Sequence, residues 1–365
     1  MGSNPISSTP LTDRSHCLII AEAGTSHGGD LGHARELNDA ARRSGADCVK
    51  FQAVFADEIL HPLTGEVELP TGRVALYERF RALERDEGFY RALKEACERS
   101  GVEFLCTPFG IRSAQLLARL GVRAYKIASP ELNHLPLLRE VARTGLPVFL
   151  STGVSLLADI ERALEIVPRS VLLHCVTSYP APPEEYNLRV IPSLASLFGV
   201  PVGISDHSLD PVLVPALAVS MGARCVEKHI TLSRSTEGLD DPVALEPEQF
   251  RGMVEAVRVA EREGADHTLR SLERIRGRDR VSAVLGNGVK SLAPSERSSY
   301  GRTNRSVHAL RAIARGERMS ELNLGILRTE KVLRPGLPPE MYERLLGRTA
   351  ARDIEAGQGV VWEDF

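Results

Sequence analysis

The chain has 365 residues, 43% hydrophobic and 25% charged, with a formal net charge of −3. At roughly 150 residues per domain that length predicts about two domains, and the composition excludes a disordered, collagen-like or coiled-coil protein. The near-neutral balance argues against a strongly basic nucleic-acid-binding surface, and no apolar run reaches the ~20 residues of a membrane span.

Residues 1–14 are polar, with two prolines and no apolar stretch of the kind a secretory signal carries. The six cysteines, Cys17, Cys48, Cys97, Cys106, Cys175 and Cys225, form no CxxC, and several sit in apolar runs, which predicts a reduced, cytoplasmic protein.

Eight short apolar runs follow, at 17–21, 48–51, 102–106, 124–128, 147–150, 171–176, 200–204 and 225–230. They are too short for helices and rich in β-branched or aromatic residues, so they read as buried parallel strands. Amphipathic helical patterns separate them, at 31–43, 74–99, 113–120, 135–143, 156–166, 188–197 and 212–221, and an eighth at 247–263 closes the series. Gly45, Gly101, Gly121, Gly145, Gly199 and Gly222 mark six of the seven helix-to-strand junctions, where a left-handed residue commonly ends a helix. Eight βα units without a GxGxxG turn favour a closed (β/α)8 TIM barrel over about 15–265, rather than a doubly wound open sheet.

From 265 to 305 there are nine Arg and Lys against four Asp and Glu, with turn signals at Gly286-Asn287-Gly288 and Pro294, so this stretch reads as extended rather than packed. Beyond it, Arg311-Ala312-Ile313 and Arg352-Asp353-Ile354 echo each other 41 residues apart, which suggests a small pseudo-symmetric β-rich unit. The division is therefore 1–282 for the barrel, 283–303 for a linker and 304–365 for the C-terminal unit.

Barrel enzymes build their active sites at the C-terminal strand ends. In chain order those ends carry Glu22, Lys50 with Gln52, Thr107, Lys126 with Ser129, Ser151-Thr152, His174 with Tyr179, Ser205-Asp206-His207 and Glu227-Lys228-His229. A ring of polar residues on buried strands is costly without a use. His207 and His229 end the last two strands, so they suit a divalent cation such as Mn²⁺, Zn²⁺ or Fe²⁺, with His174 as a third candidate. Lys50 and Lys126 either bind phosphate and carboxylate as point charges, or one forms a Schiff base with a carbonyl substrate. The neighbouring hydroxyls fit the anionic, phosphorylated ligand better. Glu22 is the acid/base candidate, with a salt bridge to Lys50 as its plain alternative.

These residues resemble the sialic acid synthase family. The likeness runs in order through Ile20-Ala21-Glu22-Ala23-Gly24 with His27, Lys50-Phe51-Gln52, Thr107-Pro108-Phe109, Tyr125-Lys126-Ile127-Ala128-Ser129, Leu150-Ser151-Thr152-Gly153, His174-Cys175 with Tyr179-Pro180, Ser205-Asp206-His207, Glu227-Lys228-His229 and Leu245-Glu246-Pro247. It ends in a unit similar to that family's antifreeze-like (SAF) domain. The resemblance implies condensation of phosphoenolpyruvate with an N-acylated amino sugar aldehyde, such as N-acetylmannosamine, to a nonulosonic acid. It implies phosphoenolpyruvate contacts at Lys50, Thr107, Lys126, Ser129 and Ser205, and Mn²⁺ or Mg²⁺ on His207 and His229. It further implies sugar contacts at Gln52, Tyr179, Asp240 and Arg305, the last inserted by the SAF domain of one subunit into its partner in a domain-swapped homodimer. Neither nucleic acid nor membrane is expected as a partner.

The family pattern is broken at Ser26-His27-Gly28-Gly29, at Thr177, at Ser129-Pro130-Glu131-Leu132-Asn133-His134 and at Gly238-Leu239-Asp240-Asp241. All of these fall in loops expected to read the sugar, and Asp241 adds a carboxylate there. A Schiff-base aldolase on the same barrel is the rival enzyme. A non-catalytic carbohydrate- or ice-binding protein is the rival outside enzymes, and the charged echo segments argue against its flat surface.

Overall fold

The computed structural model describes residues 15–69, 72–236 and 238–365; the polar segment 1–14 lies outside them. Eight parallel strands form the barrel: β1 (Leu18–Gly24), β2 (Cys48–Ala53), β3 (Glu103–Pro108), β4 (Tyr125–Ile127), β5 (Val148–Ser151), β6 (Ser170–Cys175), β7 (Val202–Asp206) and β8 (Cys225–His229). They pair in the order β3-β2-β1-β8-β7-β6-β5-β4, and β1 closes onto β8 with Glu22 opposite His229. Strands β3 and β4 stand side by side without a ladder, so the barrel is nearly closed. The six junction glycines all have φ between +66° and +93°.

Alternation along the strands sorts the side chains into two layers. Leu18, Ile20, Cys48, Leu105, Ala124, Phe149, Val171, Leu173 and Cys225 pack together as a plug inside the barrel. Residues of the opposite parity, among them Ile19, Val49, Phe104, Tyr125, Leu172 and Val226, pack outward against the helices. The plug fills the lower barrel, so any inward side chain beyond it faces an open mouth.

Two sequence expectations change. The 74–99 pattern is not one helix: a hairpin of Glu66–Leu69 and Gly72–Ala75 leads into a helix Leu76–Arg81, and a second helix, Glu87–Ser100, starts afresh where the Asp86 carboxylate accepts from the Phe89 amide at 3.0 Å. The start of the stretch read as extended is helical over Ala265–Arg276 and Arg278–Leu285. Charge counting hid the buried stripe of Thr268, Leu272, Val281, Val284 and Leu285 that packs these helices down. Irregular chain resumes after Leu285.

The C-terminal unit holds an antiparallel pair, β9 (Arg305–Ala309) and β10 (Leu324–Arg328). The two echo segments pair with each other: Ile313 and Ile354 exchange both backbone hydrogen bonds, at 2.9 and 2.8 Å. Both isoleucines then point into a core with Val307, Met319, Leu324 and Val360. No helix of the described residues is long and apolar enough to cross a membrane.

Candidate active site

Above the plug, the next inward positions are Glu22, Lys50 and Gln52, Thr107, Lys126, Ser151, Cys175, Ser205 and His207, and Glu227 and His229. All of them line one cavity of about 220 Å³ at the C-terminal mouth. Most are almost fully buried, so their charges are strongly coupled. Lys50 Nζ lies 2.7 Å from Glu22 Oε2 and donates to Thr107 Oγ1 at 3.2 Å. Gln52 donates to the other Glu22 oxygen at 2.6 Å. Lys126 Nζ donates to Ser151 Oγ at 2.7 Å. Between the two lysines stands Glu227, 3.7 Å from Lys50 and 3.6 Å from Lys126, accepting from Ser205 Oγ at 2.9 Å.

The two ammonium groups are tuned differently. Burial works against the charge on Lys50, but the Glu22 and Glu227 carboxylates outweigh it and hold its pKa above the ordinary value. Burial prevails at Lys126, where Glu227 compensates only in part, and its pKa falls. Burial also opposes ionisation of Glu227, yet Lys126 and Lys50 pull its carboxyl down to about 2.

Across the mouth, the His207 and His229 rings lie 5.5 Å apart between centroids. His207 Nδ1 donates to the Val176 carbonyl at 2.9 Å and Nε2 lies 3.5 Å from Ser205 Oγ; burial opposes charge on this ring, but the Cys175 thiol beside it outweighs burial and raises its pKa to about 9. Burial holds His229 neutral, with its pKa down at about 3, and Asp240 Oδ2 stands 3.8 Å from its Nδ1. Tyr179 stacks on His207 at 4.2 Å while half of its surface stays open to solvent. Ser129 Oγ is on the wall and accepts from the Gly153 amide at 3.0 Å.

Eleven of the twelve residues singled out from the sequence therefore share this cavity; Arg305 does not. Its guanidinium is fully buried behind the wall, bonded to Glu131 at 3.0 Å and to the Glu58 and Phe109 carbonyls of its own barrel. A neighbouring arginine of the C-terminal unit, Arg328, lines the cavity and also grips Glu131 through two bonds of 2.8 Å. His174 is likewise displaced from the suggested metal set: it sits one position out of phase with Leu173 and Cys175, points into the helix layer and bonds the Tyr186 carbonyl.

Glu227 stands among the polar strand ends of the sequence, but nothing there gives it a role of its own. Its parity with His229, two positions on, could have revealed it. Lys228 between them points outward and pairs with Asp206 at 2.6 Å. Arg328 had no signal in the sequence, because nothing there fixes where the C-terminal unit docks.

Of the loops that depart from the family pattern, Pro130, Thr177, Leu239 and Asp240 line the cavity, while other residues hold the scaffold around it. Glu131 joins Arg305 and Arg328, while Asn133 exchanges two hydrogen bonds with the Arg305 backbone, so the β4 loop docks the C-terminal unit. Arg85 donates to the Gly29 carbonyl at 2.8 Å and packs where any Cβ on Gly29 would stand. The Thr177 amide is held by the buried Glu296 carboxylate at 2.7 Å.

Comparison with known proteins agrees with this layout. The model of the NeuB family matches residues 37–268, and that of the SAF domain matches 304–365. Spore coat polysaccharide biosynthesis protein SpsE of Bacillus subtilis is 36% identical over 95% of this chain and 93% of its own length. The N,N'-diacetyllegionaminic acid synthase of Legionella pneumophila is 34% identical over 95% and 94%. The crystal structure of the same Bacillus protein superposes with a TM-score of 0.81, at 34% identity, over 100% of this chain and 99% of that one. The chain belongs to the NeuB family of sialic acid synthases and carries a C-terminal SAF domain.

Proposed function

We propose that this protein condenses phosphoenolpyruvate with the open-chain aldehyde of an N-acylated amino sugar, giving a nonulosonic acid and inorganic phosphate. The observation that carries this reading is the paired-lysine cluster, Lys50 and Lys126 about Glu227, facing two converging histidines across one small cavity. Relatives named for N,N'-diacetyllegionaminic acid and N-acetylneuraminate 9-phosphate synthesis support it, the latter from Homo sapiens at 30% identity.

In this reading Lys50, Thr107, Lys126, Ser129 and Ser205 hold the phosphate and carboxylate, and pre-set cations stabilise charge as it shifts between them. Gln52, Tyr179 and Asp240 hold the sugar. Carbon 3 of phosphoenolpyruvate attacks the aldehyde carbon, and a water positioned by Glu22 adds at carbon 2. The tetrahedral intermediate then expels phosphate together with the bridging oxygen, so the carbon–oxygen bond is the one broken.

His207 and His229 suit a divalent cation, Mn²⁺ or Mg²⁺: the Val176 carbonyl orients the His207 ring through Nδ1, the second proton of that ring would leave as the ion binds, and burial holds His229 neutral. When bound, such an ion supplies Lewis-acid polarisation of the aldehyde oxygen.

The test is phosphate release with Mn²⁺ and a panel of N-acetylmannosamine, its 6-phosphate and a 2,4-diacetamido-2,4,6-trideoxyhexose. Release that depends on one of these acceptors, with label from the phosphoenolpyruvate bridging oxygen recovered in phosphate, supports the reading; no release with any acceptor refutes it. The same proposal includes a swapped homodimer, in which the Glu131 contacts of Arg305 and Arg328, made within one chain in this structure, are made between subunits. Mixing inactive Lys126→Ala and Arg328→Ala subunits tests it: regained turnover puts the SAF domain on the partner's barrel, and none puts it on its own.

A further inference from the structure

The loop between β8 and the helix Pro247–Glu263 brings Leu239 and Asp240 onto the cavity wall. Asp241 follows immediately but turns away: it is fully buried and takes no part in the wall. Its Oδ2 accepts from the Thr236 hydroxyl at 2.5 Å and from the Gly238 amide at 2.8 Å, which ties these two residues to Asp241. The contact is tight enough to require glycine at 238, since a Cβ there would stand 2.3 Å from Asp241 Oδ2. The second carboxylate oxygen, Oδ1, is buried without a hydrogen-bond partner among the described residues. A buried carboxylate held by two neutral donors, one oxygen unsatisfied, is an expensive way to build a loop, and what it secures is the position of its neighbour. That neighbour, Asp240, places Oδ2 beside His229 and against the open side of Gly24.

We propose that Asp241 is a positioning residue for the acceptor sugar: by fastening Thr236 and Gly238 it sets Leu239 and Asp240 to face the cavity, and it touches no substrate itself. This rests on the synthase reading, with Asp240 at the sugar end of the site. The extra carboxylate thus acts as a fastening rather than as a new contact to the sugar, and what the latch needs is an acceptor oxygen in place rather than a negative charge.

Three variants separate these roles, assayed with Mn²⁺, phosphoenolpyruvate and whichever of the three panel sugars the unaltered enzyme turns over fastest. Asp241→Ala removes the latch. Gly238→Ala pushes the carboxylate away without altering it. Asp241→Asn keeps an oxygen for Thr236 and Gly238. The first two are expected to raise the KM for the sugar tenfold or more while the KM for phosphoenolpyruvate stays within twofold, because small misplacements of a contact group are costly. Asp241→Asn should keep the sugar KM within threefold. An unchanged sugar KM in Asp241→Ala and Gly238→Ala, a parallel rise in both KM values, or an Asp241→Asn variant as impaired as Asp241→Ala each overturns the proposal. If Asp241→Ala does not fold, the other two variants still decide it. Failure of the unaltered enzyme with every sugar is a different result: it overturns the synthase reading, and this inference with it.

Discussion

Replacing Glu227 by glutamine tests the charge balance at the base of the cavity. Within the site Glu22 and Glu227 offset Lys50 and Lys126, and Glu227 is the carboxylate that faces both lysines. Its carboxyl is held at about 2 against an ordinary 4.5, a preference for the charged form of about 3 kcal/mol. A depressed carboxyl contributes stability that is complete above its unfolded pKa, so at pH 7.5 the whole of this is present to lose. With an unfolding entropy of about 0.8 kcal/mol/K for a chain this size, Glu227→Gln should melt about 4 °C lower than the unaltered protein. In the proposed reaction phosphoenolpyruvate would bring negative charge to the same lysines and compete with Glu227 for them. The rise in melting temperature on adding phosphoenolpyruvate alone should therefore be larger in the variant. Calorimetry with and without phosphoenolpyruvate at pH 7.5 checks both effects. Equal melting temperatures without ligand, or a smaller ligand-induced rise in the variant, would refute the reasoning.

Glu131→Ala strips the shared carboxylate from two buried arginines, and leaving such charges unpaired costs about 3–5 kcal/mol. The SAF domain should then loosen, seen as faster protease cleavage within 286–304 and loss of turnover as Arg328 leaves the wall. Acid should destabilise the protein already between pH 6.5 and 4. Burial lowers His27 to about 4, His174 to about 3 and His308 to about 4. The unfolded chain takes up these protons near 6.5, so stability present above that pH is lost as it falls towards 4, by about 2 kcal/mol per histidine at pH 5. Urea melts at pH 7 and pH 5 measure this, and His308→Gln should shrink the difference by one histidine's share.

How far the sequence is legible follows from periodicity. All eight strands and the six junction glycines are readable, because a buried parallel strand must be apolar for a few residues and a helix end favours a left-handed residue. Within a strand, the two-residue period separates His229 and Glu227 from Lys228, and Cys175 from His174; reading strand tips as sets of adjacent residues blurs this. What escapes are relations between segments far apart in the chain. Arg305 and Arg328 stand on neighbouring strands of one hairpin, Arg305 facing Arg328 across the ladder, yet only Arg328 reaches the wall. The difference is set by where Glu131 and Asn133 of the β4 loop receive the hairpin. The same loop and Asp241 look like recognition elements when compared with a family pattern, since sequence marks a residue as unusual without saying whether it faces ligand or scaffold. The helices within 265–285 were hidden differently, by charge on the solvent face of an amphipathic pattern.

One property of Lys126 favours the rival Schiff-base enzyme. Burial lowers the pKa of Lys126, and a lysine with a depressed pKa is what a Schiff-base aldolase needs. The surroundings of Lys126 argue the other way. Its Nζ already donates to Ser151 Oγ and to the Ile127 carbonyl, and it stands 3.6 Å from the Glu227 carboxylate. Two acceptors and a nearby anion favour an ammonium, which has no lone pair to attack a carbonyl. Lys50 is further from nucleophilic use, since Glu22 and Glu227 raise its pKa. Incubation with pyruvate and borohydride should therefore leave the intact mass unchanged, and peptide mapping should find no adduct on Lys50 or Lys126. A reduced pyruvyl adduct on Lys126 that disappears in Lys126→Arg would make the depressed pKa the governing fact and transfer the barrel to aldolase chemistry.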